Sequence, residues 1–180
     1  MYKKNKKIVL IGGPGTGKTT VLEKLKSKGF YCLEEVSREV TLKAQKQGIE
    51  QLFLTKPLLF SEMLLEGRIE QYKLAEKSTE ENIFFDRGIP DVEAYLDFFN
   101  TDYPLKFKTE SEKYKYDYIF QFAPWKEIYT TDNERYESFE ESLIIDKHLI
   151  KTYKNLNYKV INVPFGSVEE RTNFILNLIE

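Results

Sequence analysis

The sequence predicts an α/β protein of three layers, in which a parallel sheet is covered by helices on both faces. Five short apolar runs alternate with helix-length segments, most of the runs lack polar–apolar alternation, and no repeat or Pro/Gly-rich linker interrupts this order. Strands buried on both faces have this pattern, and strands that alternate with helices form parallel sheets. The predicted strands are 7–11, 30–33, 83–85, 118–122 and 158–163.

Six segments have the spacing or the end signals of helices. They are 18–28, 37–47, 57–77, 90–99, 133–155 and 167–178. The first ends at Gly29, a suitable C-terminal cap, and Pro90 suits the first turn of the fourth. Ser167 and Glu170 have the spacing of a capping box at the start of the last helix. A chain of 180 residues with this order of elements suits one domain over 1–180.

Charge and residue content exclude several classes of protein. Lys and Arg number 27 against 29 Asp and Glu, a net charge of -2, whereas dedicated nucleic-acid binders are usually basic. Cys32 is the only cysteine and His148 the only histidine, which excludes a disulfide framework and a His/Cys zinc site. We expect Cys32 to be a buried thiol and His148 a surface or boundary residue. The apolar run 8–11 is too short for a signal peptide or a membrane span, so we expect a cytoplasmic protein.

The segment GGPGTGKT at 12–19 matches the phosphate-binding pattern GxxxxGK[ST], between a predicted strand and a predicted helix. Glycines let successive backbone N–H groups point at phosphate oxygens, and the helix presents its positive N-terminus to the same anion. Lys18 adds a charge near the β- and γ-phosphates, and the Thr19 hydroxyl is a ligand for Mg²⁺. The predicted nucleotide-binding residues are Gly13, Pro14, Gly15, Thr16, Gly17, Lys18, Thr19 and Thr20.

Asp86 follows the third apolar run, at the strand end where ligands bind in open parallel sheets. A carboxylate there holds Mg²⁺ or accepts the proton of a substrate hydroxyl, and Arg87 beside it is placed to contact a phosphate. The alternative is that Asp86 only caps the turn before Gly88. The sequence has no NKxD-like guanine motif, and it leaves no room for the separate helical lid domain of ring-forming ATPases.

The chain resembles the P-loop family that unites the ribosylnicotinamide kinase domain of NadR-type proteins with the TRPL-translocation-defect proteins, often labelled "AAA domain". The resemblance spans nearly the whole chain, in the same order. Its segments are GGPGTGKTT (12–20), LEEVSRE (33–39), FFDRGIPDVEAY (84–95), YDYIFQFAPW (116–125), DNERYESFEES (132–142) and VINVPFGSVEER (160–171).

This resemblance implies a kinase-like sheet with strand order 2-3-1-4-5. It places Glu35 and Arg38, after the second strand, among the polar residues of the acceptor site. It matches Asp86 and Arg87 to the acid–arginine pair after the third strand. It makes Arg135 a lid arginine that reaches over the transferring phosphoryl group.

Each of these residues also has a structural interpretation. Arg135 could be a helix-surface charge, and Glu35 an early-turn acid that complements the dipole of the next helix, with Arg38 as its surface partner. The resemblance also implies that 164–167 borders the adenine. Trp125 could stack on a base or sugar, but packing against the sheet edge is the more usual place for a lone tryptophan after a strand.

Phosphoryl transfer needs Mg²⁺, a lysine, a further arginine and a carboxylate near the nucleophile. Lys18, Arg135, and Asp86 or Glu35 meet this list, with Arg87 as a second candidate for the arginine. We therefore expect a small-molecule kinase that uses ATP and acts on a nucleoside-like or nucleotide-like acceptor. The alternatives are a nucleotide-dependent switch that acts through a protein or lipid partner, and a nucleic-acid 5′-end kinase, which the acidic net charge disfavours.

Overall fold

The computed structural model describes residues 5–49, 52–129 and 137–179, in which strands and helices alternate. The elements are β1 (Lys6–Ile11), α1 (Lys18–Ser27), β2 (Tyr31–Leu33), α2 (Ser37–Lys46), α3 (Leu52–Thr55), α4 (Pro57–Lys77), β3 (Asn82–Asp86), α5 (Pro90–Phe98), α6 (Lys106–Lys113), β4 (Tyr118–Gln121), α7 (Phe139–Asn155), β5 (Val160–Asn162) and α8 (Val168–Ile179).

The five strands form one parallel sheet with the order β2-β3-β1-β4-β5. Val9 in the central strand β1 pairs with Phe85 of β3 on one side and with Ile119 of β4 on the other. The α/β class, the parallel sheet and the strand order are therefore confirmed. Because the strands are parallel, their carboxyl ends share one edge of the sheet, and the loops after β1, β2 and β3 meet there.

Alternate residues of each strand enter two different cores. Ile8 and Leu10 face the cluster built with α1 and α8, whereas Val9 and Ile11 face the cluster built with α4, α5 and α7. All four side chains are fully buried. A strand that is apolar on both faces gains burial on both, which explains the continuous apolar run IVLI.

The seventh helix starts later than the segment 133–155 predicts. Ser138 is its N-cap, and the Ser138 side chain and the Glu141 side chain each accept a hydrogen bond from the other residue's backbone N–H. This capping box fixes the start of the helix at Phe139. Residues 130–136 lie outside the described part of the chain. Two further helices, α3 and α6, were not expected. In α6 only Phe107 and Ser111 are buried, so the segment lacks the apolar stripe by which a helix is recognised.

The remaining boundaries match the expectation or differ from it by one or two residues. The largest strand difference is in β5, which is limited to the three residues that pair with 119–121 of β4. No helix within the described residues is both long enough and apolar enough to span a membrane.

Candidate active site

The loop 12–17 joins β1 to α1 at the carboxyl edge of the sheet, and three of its four glycines have backbone conformations that other residues rarely adopt. Gly12, Gly15 and Gly17 have φ values of 148°, 73° and 81°. A Cβ atom on Gly12 would lie 2.5 Å from the carbonyl oxygen of Phe122. Both the backbone angle and the space therefore require glycine where the chain leaves the sheet.

Lys18 starts α1, and its side chain folds back onto the loop. Its Nζ donates hydrogen bonds to the carbonyl oxygens of Gly12 and Gly13, each at 2.8 Å, and the residue is only 7% exposed. Burial, with the nearby charge of Arg87, lowers the pKa of Lys18 to about 8. An anion in the loop would favour the charged form of this amine, so the site is arranged to gain from binding one.

The threonines of the loop differ in their surroundings. Thr16 is buried and its Oγ1 donates to the carbonyl oxygen of Gly13 at 3.0 Å, which braces the loop from within. Thr20 is exposed and its Oγ1 donates to the carbonyl oxygen of Gly17 at 2.9 Å. Thr19, in the first turn of α1, is exposed. Of the three hydroxyls, that of Thr19 is best suited to bind a ligand.

Asp86 is the last residue of β3 and pairs in register with Leu10 of β1, next to the loop. It is 6% exposed, and its Oδ1 has no hydrogen-bond partner among the described residues. Burial raises the pKa of this carboxyl, although the charge of Lys18 opposes the shift. A buried carboxylate oxygen without a donor is costly unless a ligand or a cation satisfies it.

The surroundings of Asp86 and Thr19 fit Mg²⁺ bound together with a nucleotide. Within the described ranges, no group of three or more His, Cys, Asp or Glu side chains could hold a metal by itself. Mg²⁺ in nucleotide sites is typically held by one or two protein oxygens, with phosphates and waters supplying the rest. The unpartnered oxygen of Asp86 and the exposed hydroxyl of Thr19 fit that donor set.

Glu35, in the loop after β2, lies between two arginines from different elements. Its carboxylate forms ion pairs with Arg87, after β3, and with Arg68 of α4, the latter at 3.2 Å. Burial alone would raise the pKa of Glu35, but the guanidinium groups of Arg87 and Arg68 outweigh it, and the pKa lies below its ordinary value. Glu35 is thus an ionised carboxylate at the shared edge of the sheet, with 21% of its side chain exposed.

Arg87 follows Asp86 in a left-handed backbone conformation with φ of 71°. Its guanidinium donates to the Tyr95 hydroxyl at 3.2 Å and lies 3.8 Å from a carboxylate oxygen of Asp91. Asp91 is fully buried and accepts hydrogen bonds from the backbone N–H of Gly88, at 3.0 Å, and from the Tyr153 hydroxyl, at 2.6 Å. These contacts hold the β3–α5 turn in a conformation that is unfavourable for arginine by itself.

The other predicted site residues are Arg38, Arg135 and the segment 164–167. Arg38 is on the exposed side of α2, and within the described chain the ion pairs of Glu35 are with Arg68 and Arg87 instead. Arg135 lies outside the described residues. In the segment 164–167, Phe165 is 54% exposed, and its ring stacks on that of Trp125 with a centroid distance of 4.9 Å and an interplanar angle of 19°.

Cys32 and His148 both lie away from the loop. Cys32 is partly buried rather than fully buried, and burial raises the pKa of its thiol to about 11. His148 is half-buried on α7, with its ring 6.1 Å from that of Phe98. Neither residue contributes to the cluster of charged groups at the sheet edge.

Sequence reasoning missed three charged residues close to this edge, namely Arg68, Asp91 and Arg171. All three are at most 4% exposed. Arg68 shares a buried stripe of α4 with Leu65 and Tyr72, and Arg171 shares one of α8 with Ile175. A charged residue at a core-facing helix position is rarely buried without a purpose, and that signal could have identified both arginines.

The chain is similar in fold to solved structures of several kinases. A deoxyadenosine kinase from M. mycoides with dCMP and dCDP has a TM-score of 0.70 at 19% identity, over 96% of this chain and 98% of that one. A NadR protein in complex with NR has a TM-score of 0.71 at 18% identity, over 97% of this chain and half of NadR. Thymidylate kinase from Candida albicans has a TM-score of 0.66 at 16% identity, over 98% and 91% of the two chains.

In sequence, no curated protein is significantly similar to the chain. The family model described as "AAA domain" matches residues 7–171 and so includes the phosphate loop, the Glu35–Arg87 pair and Arg171. The chain therefore belongs to the AAA domain family of P-loop proteins.

Proposed function

We propose that the protein is a kinase that transfers the γ-phosphoryl group of ATP to a small-molecule acceptor of nucleoside or nucleotide type. The observation that carries this proposal is the convergence of three groups at one edge of the sheet. These are the phosphate loop with Lys18, the buried carboxylate of Asp86, and the ion pair of Glu35 and Arg87. The kinases among the structural neighbours support it through their fold.

Nucleotide binding falls to the loop and to Lys18. In this proposal the backbone N–H groups of residues 13 and 15–20, at the loop and the N-terminus of α1, bind the phosphates. The Lys18 amine leaves the loop carbonyls to contact the β- and γ-phosphates. Mg²⁺, held by Thr19 and Asp86, would neutralise charge on the phosphates. Arg135 is proposed to lie over the γ-phosphoryl group.

The acceptor is proposed to bind beside Glu35, with Arg87 close to its polar groups and Arg38 at the outer margin. The acceptor oxygen forms a bond to the γ-phosphorus while the bond between the γ-phosphorus and the β–γ bridging oxygen breaks. The electron pair of the broken bond stays on the bridging oxygen, which leaves as part of ADP. The acceptor proton passes to Glu35, which its arginine partners keep ionised. The transition state for phosphoryl transfer is loose, so positioning and charge matter more than the strength of this base.

The test is ADP formation from ATP and Mg²⁺ with a panel of nucleosides, nucleoside monophosphates and other small hydroxylated acceptors. An acceptor of the chain should raise ADP formation by about a hundredfold or more over ATP alone, the scale that positioned groups supply. Asp86→Asn should reduce kcat by a similar factor, whereas Asp97→Asn, at the exposed end of α5, should not. Full turnover by Asp86→Asn would refute the assignment of this carboxylate.

Two additions to the panel separate the other candidate functions. A 5′-hydroxyl oligonucleotide would be phosphorylated by an end kinase, with an affinity that falls steeply with salt. If no acceptor raises ADP formation, the slow hydrolysis expected of a nucleotide-dependent switch would replace the kinase proposal.

A further inference from the structure

Arg171, in the first turn of α8, contacts the phosphate loop from the side of the sheet that faces α1. It is 2% exposed, and its Nη2 donates to the carbonyl oxygen of Thr16 at 3.0 Å. A Cβ atom on Gly17 would lie only 2.5 Å from Nη1, so the guanidinium fits against the loop where glycine leaves room. A residue 155 positions along the chain therefore sets the orientation of the Thr16–Gly17 peptide.

Two aromatic rings enclose the same guanidinium. Its central carbon is 4.5 Å from the ring centroid of Phe122 and 5.8 Å from that of Trp125. Trp125 in turn stacks on Phe165. The rings exclude water from Arg171 and stabilise its charge only by weak cation–π attraction.

The charge of Arg171 has no carboxylate partner among the described residues, and its Nε has no hydrogen-bond partner there. Arg68, which is buried, and Arg87, whose side chain is 14% exposed, both pair with Glu35. Burial accordingly lowers the pKa of Arg171. A buried cation without a counter-ion destabilises a folded protein, and its retention beside an anion-binding loop calls for a ligand.

We infer that Arg171 is a positioning residue for nucleotide binding, which aligns the phosphate loop through Thr16 and whose charge is balanced by the bound polyphosphate. This inference rests on the proposed nucleotide binding. In this inference the phosphate loop is served by two buried cations, Lys18 at the start of α1 and Arg171 of α8. At an effective dielectric constant of about 20, one charge several ångströms from a polyphosphate is sufficient to change affinity by about tenfold or more.

The inference predicts that one substitution weakens binding without weakening the fold. Arg171→Gln should weaken binding of Mg·ATP and of inorganic tripolyphosphate at least tenfold in calorimetry, while denaturant unfolding without ligand shows no loss of stability. Arg171→Lys, which keeps the charge, should recover a substantial part of the affinity. The matched control is Lys24→Gln, because Lys24 also joins α1 to α8, through a partly exposed pair with Glu169 at 2.7 Å, and should leave both quantities unchanged.

The outcomes separate this inference from the proposed function. If the wild-type protein binds neither probe, nucleotide binding itself is wrong. If wild type binds and Arg171→Gln binds equally well, the inference is overturned. It is also overturned if Arg171→Gln loses stability and Arg171→Lys restores the stability but not the affinity, because Arg171 is then only a structural residue.

Discussion

Glu35 and Arg87 form an ion pair between the loops that follow two neighbouring strands, β2 and β3. Arg68 of α4 pairs with the same carboxylate and also donates to the carbonyl oxygen of Gly88 at 3.0 Å. A Cβ on the preceding residue, Gly67, would lie 2.4 Å from Cγ1 of Val36, so glycine allows α4 to approach this loop closely. One carboxylate thus joins three separate elements at the candidate active site.

Glu35→Gln should lower the free energy of unfolding by about 3 kcal/mol near pH 7, because it leaves the buried Arg68 without a carboxylate and leaves Arg87 with only the more distant carboxylate of Asp91, at 3.8 Å. The folded-state pKa of Glu35 is below its ordinary value, so the stabilisation is present above the unfolded pKa of about 4.3 and is lost as pH falls through the folded pKa. Urea unfolding of both proteins between pH 7 and pH 3 checks this. A difference that stays constant over this range would contradict the ion-pair explanation.

Gly12→Ala should destabilise the protein by about 2 kcal/mol or more, since φ of 148° and a contact at 2.5 Å both oppose a side chain. Gly13→Ala is the matched control. A Cβ there would meet its nearest atom, in Ser142, at 3.7 Å, which is ordinary van der Waals contact. Thermal and urea unfolding of the two variants should therefore differ clearly. Equal midpoints would show that the first loop glycine is not under this constraint.

Tyr153→Phe should cost about 2 kcal/mol, because the hydroxyl donates to the buried carboxylate of Asp91 at 2.6 Å. The control is Tyr103→Phe, which removes a bond of 2.9 Å to Asp97 near the surface and should cost less than about 0.5 kcal/mol. Denaturant unfolding at pH 7 compares the two. Similar losses in both variants would argue against a special contribution of the Asp91 site.

Cys32 should react slowly with iodoacetamide in the native protein. Burial raises the pKa of its thiol to about 11, so at pH 8 the thiolate is about a hundredfold less populated than for an ordinary cysteine. Because it is the only cysteine, mass spectrometry of the whole protein gives the rate without ambiguity. The urea-unfolded protein is the reference. A native rate within threefold of the unfolded rate would disprove the burial effect.

The phosphate loop was predictable because its chemistry is local. The seven consecutive residues 12–18, from the end of β1 to the start of α1, supply the turn, backbone amide donors and Lys18, so the geometry of the motif depends on neighbours along the chain. The strands were predictable for a similar reason, since continuous apolar runs such as IVLI are typical of strands that are buried on both faces. Helix α6 was not, because its stability comes from the contact of Phe107 with the core rather than from a periodic pattern.

The partners of the charged residues could not be predicted in this way. Glu35 and Arg68 are 33 residues apart, and Arg171 and Thr16 are 155 apart. Nothing in the spacing of either pair indicates contact. Sequence reasoning considered Arg38 as the partner of Glu35, whereas in the described chain Glu35 pairs with Arg87 and Arg68.

The sequence by itself determined the α/β class, the position of the phosphate loop and the presence of an acid at the end of β3, because each depends on residues that are neighbours along the chain. Only the tertiary structure decided which charges meet. Asp86 lies beside the loop, Glu35 between two arginines, and Arg171 behind Thr16 because parallel strands bring their carboxyl ends to one edge and because α4 and α8 pack there. Burial and neighbouring charges at that edge then shift the pKa values of Lys18, Asp86 and Glu35, an effect that depends on the surroundings of a residue and not on its type alone.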